Sequence, residues 1–229
     1  FTAREVRIDR PLDFAAVTDH AEFLGEGEVC TDPSAEGYNT RFCAAVRSGE
    51  GRAPELLMRI MLPWQTRDSA TCGDDGERCA VLAENLWQQN IATAEKWNST
   101  DEDCERTAFV AYEYSSVRLG SNLHRNVIFR NAIVPQRPIS YLEAIREWDL
   151  WRILKEQCID GSAQCDVLAI PHNSNISNGR MFAVDYPGAD TIEEQAARAR
   201  LRMEIEPIVE IMQHKGDSEC RNGLDGVLG

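Results

Sequence analysis

An α/β fold on a largely parallel sheet, open or closed into a barrel, is what this sequence predicts, and three observations carry the expectation. Short apolar runs alternate with segments of helical periodicity along most of the 229 residues, the pattern of strands joined by crossover helices. Three of the four histidines sit in short polar clusters that directly follow such runs: His20 after Phe14-Ala15-Ala16-Val17, His172 after Val167-Leu168-Ala169-Ile170, and His214 after Ile208-Val209-Glu210-Ile211-Met212. Buried parallel strands read as short apolar runs, and α/β folds place their chemistry at the strands' carboxyl ends. The fourth, His124, lies in Asn122-Leu123-His124-Arg125-Asn126, just ahead of Val127-Ile128-Phe129.

Taken in order, residues 11–18 read as a strand, and 25–53, rich in Gly, Glu, Ser and Cys, as an irregular loop. Helices are expected over 54–63, with Pro54 suited to a first turn, and over 79–98, where Ala80, Leu82, Ala83, Leu86, Trp87, Ile91 and Ala94 recur at helical spacing. Residues 25–106 therefore read as an insertion stapled by cysteines over one face of the barrel or sheet. Strands follow at 107–114 and 126–130. A helix is expected over 140–157, opened by a capping box from Ser140 to Glu143, with Leu142, Ile145, Trp148, Leu150, Trp151 and Leu154 inward. A strand at 166–170, a helix at 191–205 and a strand at 207–212 complete the series within a single domain, 1–229.

Composition narrows the classes of partner. Acidic residues outnumber basic ones, 24 − 38 = −14, which argues against nucleic acid or an anionic membrane surface. No apolar stretch reaches the ~20 residues that span a bilayer. Eight cysteines without a Cys-x-x-Cys pair speak against zinc ribbons and for disulfides in an oxidising compartment. Eight cysteines allow roughly 105 pairings. Short loop closure favours Cys158–Cys165, then Cys72–Cys79 and Cys30–Cys43, with Cys104 and Cys220 left open. A reduced cytosolic protein is the competing reading, and a periplasmic or secreted one is preferred. Opening at Phe1 and closing on the loop-like Asp225-Gly226-Val227-Leu228-Gly229, the chain reads as a fragment.

The polar clusters point to metal-dependent chemistry. His20 at a strand end can offer a neutral imidazole to a divalent ion, with Asp19 ligating or orienting. Glu113, closing the run Thr107 to Tyr112, can bridge two ions with its two oxygens, although strand alternation would equally turn it to solvent. His172 is a third candidate ligand. Asn173, Asn175 and Asn178 are neutral hydrogen-bonders that would hold substrate or simply form a turn. Asn122, His124 and Arg125 could grip an anion, Arg125 through its forked donors, or Arg125 could be an ion pair. His214, Lys215, Asp217 and Glu219 would line the same pocket. There is no His-Glu-x-x-His helix, P-loop, Gly-x-Ser-x-Gly elbow or dinucleotide fingerprint.

Leu12-Asp13-Phe14 through Thr18-Asp19-His20-Ala21-Glu22 resembles the second motif of the PHP (polymerase and histidinol phosphatase) superfamily. With Asn122-Leu123-His124-Arg125-Asn126, Ile170-Pro171-His172-Asn173-Ser174-Asn175 and Gln213 to Glu219, the set resembles an exported bacterial PHP-like family catalogued as a domain of unknown function. The resemblance implies a distorted (β/α)7 barrel carrying two or three divalent metals (Zn, Mn or Fe). His20 and His172 would be ligands, Glu113 a bridge and Asp19 a support. The first-strand His-x-His and the last-strand Asp-x-His motifs of that superfamily are missing, so the barrel is expected to be incomplete at both ends. The functional expectation is a metal-dependent hydrolase, a phosphoesterase with His20, Glu113 and His172 as its catalytic set, acting on a small anionic substrate. The alternative is a non-catalytic exported binding domain on a degenerate barrel.

Overall fold

The computed structural model describes residues 9–10, 12–48, 67–99, 105–213 and the backbone of 216–217. One open sheet holds β1 (Ala15–Ala16), β2 (Ala108–Tyr114), β3 (Arg125–Phe129) and β4 (Val167–Pro171), in that order. Strand β1 is parallel to β2, whereas β3 is antiparallel to both β2 and β4. The largely parallel sheet and the (β/α)7 barrel are thereby corrected: among the described residues the sheet has two edges, β1 and β4, and does not close. The connections explain it. A parallel pair needs a long crossover, and loop 115–124 between β2 and β3 carries only a single helical turn, Arg118–Gly120. The β3–β4 connection does hold a helix yet still returns antiparallel, so alternation of strand and helix was a misleading sign here.

The α-helices among the described residues are α1 (Leu24–Thr31), α2 (Arg41–Ser48), α3 (Ser69–Cys72), α4 (Glu77–Trp97), α5 (Glu147–Leu154) and α6 (Ile192–Ile205). Helices α1 and α2 occupy the stretch expected to be a loop. The α1 sequence, Leu-Gly-Glu-Gly-Glu-Val-Cys-Thr, carries no apolar stripe. Tertiary contact holds it instead: a Cβ on Gly25 would lie 1.9 Å from the Cys79 carbonyl oxygen, so only glycine lets α1 sit this close to α4. Disulfides Cys30–Cys43 and Cys72–Cys79 tie this layer, whose small core is Val29, Phe42 and the four sulfur-bearing side chains. A third disulfide joins Cys158 to Cys165.

Other boundaries also move. Among the described residues of the expected strand 11–18 only Ala15 and Ala16 pair, and Leu12, Phe14 and Val17 are exposed. The helix expected from residue 140 starts at Glu147, because Ser140 and Glu143 bond to each other across a separate turn. The run 207–212 is not a sheet strand. Its last residue enters a small hairpin of β5 (Met212–Gln213) and β6 (Gly216–Asp217), while Ile208, Val209 and Ile211 are exposed. The helix expected over 54–63, together with His214, Lys215, Glu219, Cys104 and Cys220, lies outside the described residues.

The main core forms on one face of the sheet. Tyr112, Tyr114, Val127, Phe129, Val167 and Ala169 pack against Trp87 of α4, Leu150, Trp151 and Leu154 of α5, and Ile205 of α6. Trp87 meets Tyr112 edge-on at 5.7 Å between ring centroids. Since β1, β2 and β4 share a direction, their carboxyl ends and the amino end of β3 meet at one margin of the sheet. No helix among the described residues is long and apolar enough to cross a membrane.

Candidate metal centre

Three histidines and one glutamate converge on that margin. Glu113, near the end of β2, pairs with Asn126 of β3 and faces away from the core side occupied by Tyr112 and Tyr114. His124, immediately before β3, and His172, immediately after β4, lie two residues further along the register and so on the same face as Glu113, joined by a bond from the His172 N–H to the His124 carbonyl at 3.3 Å. His124 Nδ1 is 2.7 Å and His172 Nε2 2.9 Å from Glu113 Oε1. His20 enters from the end of β1, where the Glu113 N–H donates to the Asp19 carbonyl at 2.9 Å. Its Nδ1 is 3.0 Å from Glu113 Oε2 and 2.5 Å from Ser115 Oγ. Side-chain exposure is 11% for Glu113, 13% for His124 and 9% for His172, but 64% for His20.

The electrostatics favour an ionised carboxylate at the centre of the cluster. Burial works to raise the Glu113 pKa, but the hydrogen bonds of His124, His172 and His20 together hold it far below the usual carboxylate range. Burial holds the His124 imidazole below its ordinary value against the opposing pull of Glu113. For His20, the more exposed ring, the Glu113 hydrogen bond dominates and raises the pKa.

The donor set fits a divalent cation. Ligand atoms of Glu113, His124 and His172 all lie within 4.8 Å of one another. Two ligands about 2.1 Å from one ion and about 90–110° apart are themselves about 3.0–3.4 Å apart. The observed N···O separations of 2.7–3.0 Å need only a small outward adjustment to reach that range. Glu26, Cys72 and Cys79 also converge, but both sulfurs are committed to a disulfide.

The other residues singled out in the sequence have different positions. The Asp19 side chain is exposed, and its carbonyl is what touches Glu113. Asn122 is buried and accepts the His124 N–H at 3.1 Å, fixing the backbone that presents this ring. Asn173 has a left-handed backbone and accepts from Gln213 Nε2 at 2.8 Å, while Asn175 is exposed. Arg125 points to the opposite face from His124, as strand alternation requires of neighbours. There it is 1% exposed, with Nε 2.7 Å from Glu206 Oε1 and Nη1 bonded to the Leu123 carbonyl. Beside the centre, α4 and the β1–β2 pair enclose a mainly apolar cavity of about 370 Å³, walled by Leu86, Trp87, Trp97 and Phe109, with Asp19 also in its lining.

Two contributors were not singled out from sequence, Ser115 and Glu22. Glu22 is 1% exposed; its Oε1 accepts the Ser115 N–H at 2.8 Å, while Oε2 has no partner among the described residues. Burial pushes this carboxyl up to about 7 from 4.5. The folded protein therefore keeps a proton that the unfolded chain loses. That contribution is full below pH 4.5 and is lost as pH rises through about 7. In metal-free buffer, Glu22→Gln should gain roughly 2–3 kcal/mol on its parent between pH 5 and pH 8. Urea unfolding at both pH values checks this, and a difference independent of pH would refute it.

No curated protein and no solved structure matches the chain. The model of a family described as protein of unknown function (DUF3604) matches residues 2–226, and the chain belongs to that family.

Proposed function

We propose that this protein is a metal-dependent hydrolase, with Glu113, His124, His172 and His20 holding one or more divalent ions. The observation that supports it best is the convergence of three imidazoles on one buried carboxylate, a donor set suited to zinc, manganese or iron. A divalent cation held there supplies Lewis acidity, activating water near neutral pH and offsetting charge that builds on an ester. The chain's own residues do the rest. Asn122 fixes the His124 backbone, Ser115 orients the His20 ring, and the open side at His20 admits substrate. A small phosphoester is the favoured substrate class, since the acidic chain is ill suited to nucleic acid or an anionic membrane.

Kinship with PHP-like proteins belongs to this reading and rests on Thr18-Asp19-His20-Ala21-Glu22 and the His124 and His172 segments. Export to the periplasm or beyond rests on the three disulfides, which persist in oxidising compartments. The test is metal content by mass spectrometry after loading with zinc, manganese or iron, beside a His124→Ala/His172→Ala variant. Stoichiometric metal in the parent, lost in the variant, is expected. No metal above background in the parent sinks the hydrolase and leaves a binding domain.

A further inference from the structure

A second group of side chains, made of arginines, stands partly on the loops that carry the candidate metal ligands. Arg118 lies in the loop joining Glu113 to His124, Arg180 in the loop after His172, and Arg146 just ahead of α5. Ser121 links the two loops. Its N–H bonds the Arg118 carbonyl at 3.1 Å, and its buried Oγ accepts from Arg180 Nη1 at 3.2 Å and Asn178 Nδ2 at 3.1 Å. The Asn122 N–H bonds the Ile176 carbonyl at 3.0 Å, a second tie between them.

Acidic residues outnumber basic ones, 38 to 24, yet among the described residues none of these three arginines has a carboxylate within 4.0 Å. Arg125 and Arg202, by contrast, are both bonded to Glu206. The Arg118 Nε–H is buried without a hydrogen-bond partner among the described residues, and Arg146 only lies over the Trp148 ring at 5.1 Å. Burial and then the positive charge of Arg146, with Arg180 adding to it and Glu147 opposing, hold the Arg118 guanidinium below its ordinary pKa. A buried Arg118 donor left unmet beside two further cations is a place where an anion would restore both hydrogen bonding and charge balance.

We infer that Arg118, Arg146 and Arg180, with Ser121, form a binding site for a tetrahedral oxyanion, a phosphate or sulfate group, adjoining but separate from the metal centre. One forked guanidinium suffices for a planar carboxylate. Three guanidinium groups carried on separate segments can instead surround several oxygens of one group and balance a dianion. The site stands independently of the metal reading, because none of its residues is a candidate ligand. If the hydrolase reading also holds, the substrate carries a phosphate or sulfate group that this cluster grips.

The test uses the full chain stripped of metal with a chelator and dialysed. Inorganic phosphate, sulfate and acetate are titrated by calorimetry at ionic strength matched with sodium chloride. Phosphate or sulfate should bind the parent, and Arg180→Gln and Arg146→Gln should each weaken binding by roughly tenfold or more. His172→Ala should leave binding unchanged. Arg180 is exposed, so its variant keeps the test valid even if Arg118→Gln does not fold. No binding of either tetrahedral anion to the parent overturns the inference, as does equal affinity for acetate. Binding that is lost in His172→Ala but kept in both arginine variants would place the anion in the metal cluster and also overturn it. Failure of metal loading alone would count against the hydrolase and leave this site standing.

Discussion

Replacing Glu113 by glutamine is expected to cost the protein its metal affinity by roughly 100-fold or more. Outer partners of metal ligands already account for roughly 10–100-fold when removed, and Glu113 is placed to be a ligand itself, so its loss should be at or above that range. Both of its oxygens are used, Oε1 by His124 and His172 and Oε2 by His20. An amide brings an N–H₂ into a space lined with ring nitrogens and removes the one negative charge at their centre. Competition with a chromogenic chelator measures the change, and thermal unfolding of the metal-free variant reports whether the fold survives. Affinity within threefold of the parent would remove Glu113 from the ligand set.

The largest loss of stability is expected on the other face of the sheet. Arg125→Met should destabilise the protein by roughly 3–5 kcal/mol, the usual cost of breaking a buried ion pair by removing one partner. Glu206 is 2% exposed at its side chain and sits at the centre of the network. It receives Arg125 Nε at 2.7 Å, Trp151 Nε1 at 2.8 Å and Arg202 Nε at 3.2 Å. Methionine fills the stem volume but leaves the carboxylate short of its closest cation and the Leu123 carbonyl without its donor. At this chain length the melting temperature should fall by roughly 10 °C. The double variant Arg125→Met/Glu206→Met should recover part of the loss, because the buried Glu206 carboxylate is no longer left without its closest cation, although Arg202 and Trp151 lose their acceptor. A single variant within 1 kcal/mol of the parent would contradict this account.

These two experiments mark what the sequence made legible and what it hid. His20, Glu113 and His172 stood out because each lies at or just beyond the end of an apolar run, and strands that share a direction bring those ends together. His124 and Arg125 were read as one anion-gripping pair. Adjacent strand residues face opposite ways, so one went to the metal centre and the other into the core. The sheet's direction was not legible, since pairing depends on how a connection folds back rather than on the strand's own residues. Helix α1 was invisible for a related reason: its stability comes from the close approach at Gly25 and from Cys30–Cys43, neither of which leaves a periodic trace. The arginine cluster was equally hidden, being assembled from three segments far apart in the chain.

The uneven exposure of the four clustered side chains has a kinetic consequence. Glu113, His124 and His172 are walled in, whereas His20 is mostly in water. Among the described residues the cluster therefore meets water chiefly at His20. An ion held there, as proposed, would leave by first letting go of its wettest ligand, so His20 would govern residence time more than depth of binding. Small solutes able to displace that single ring would then reach the carboxylate without any unfolding of the sheet.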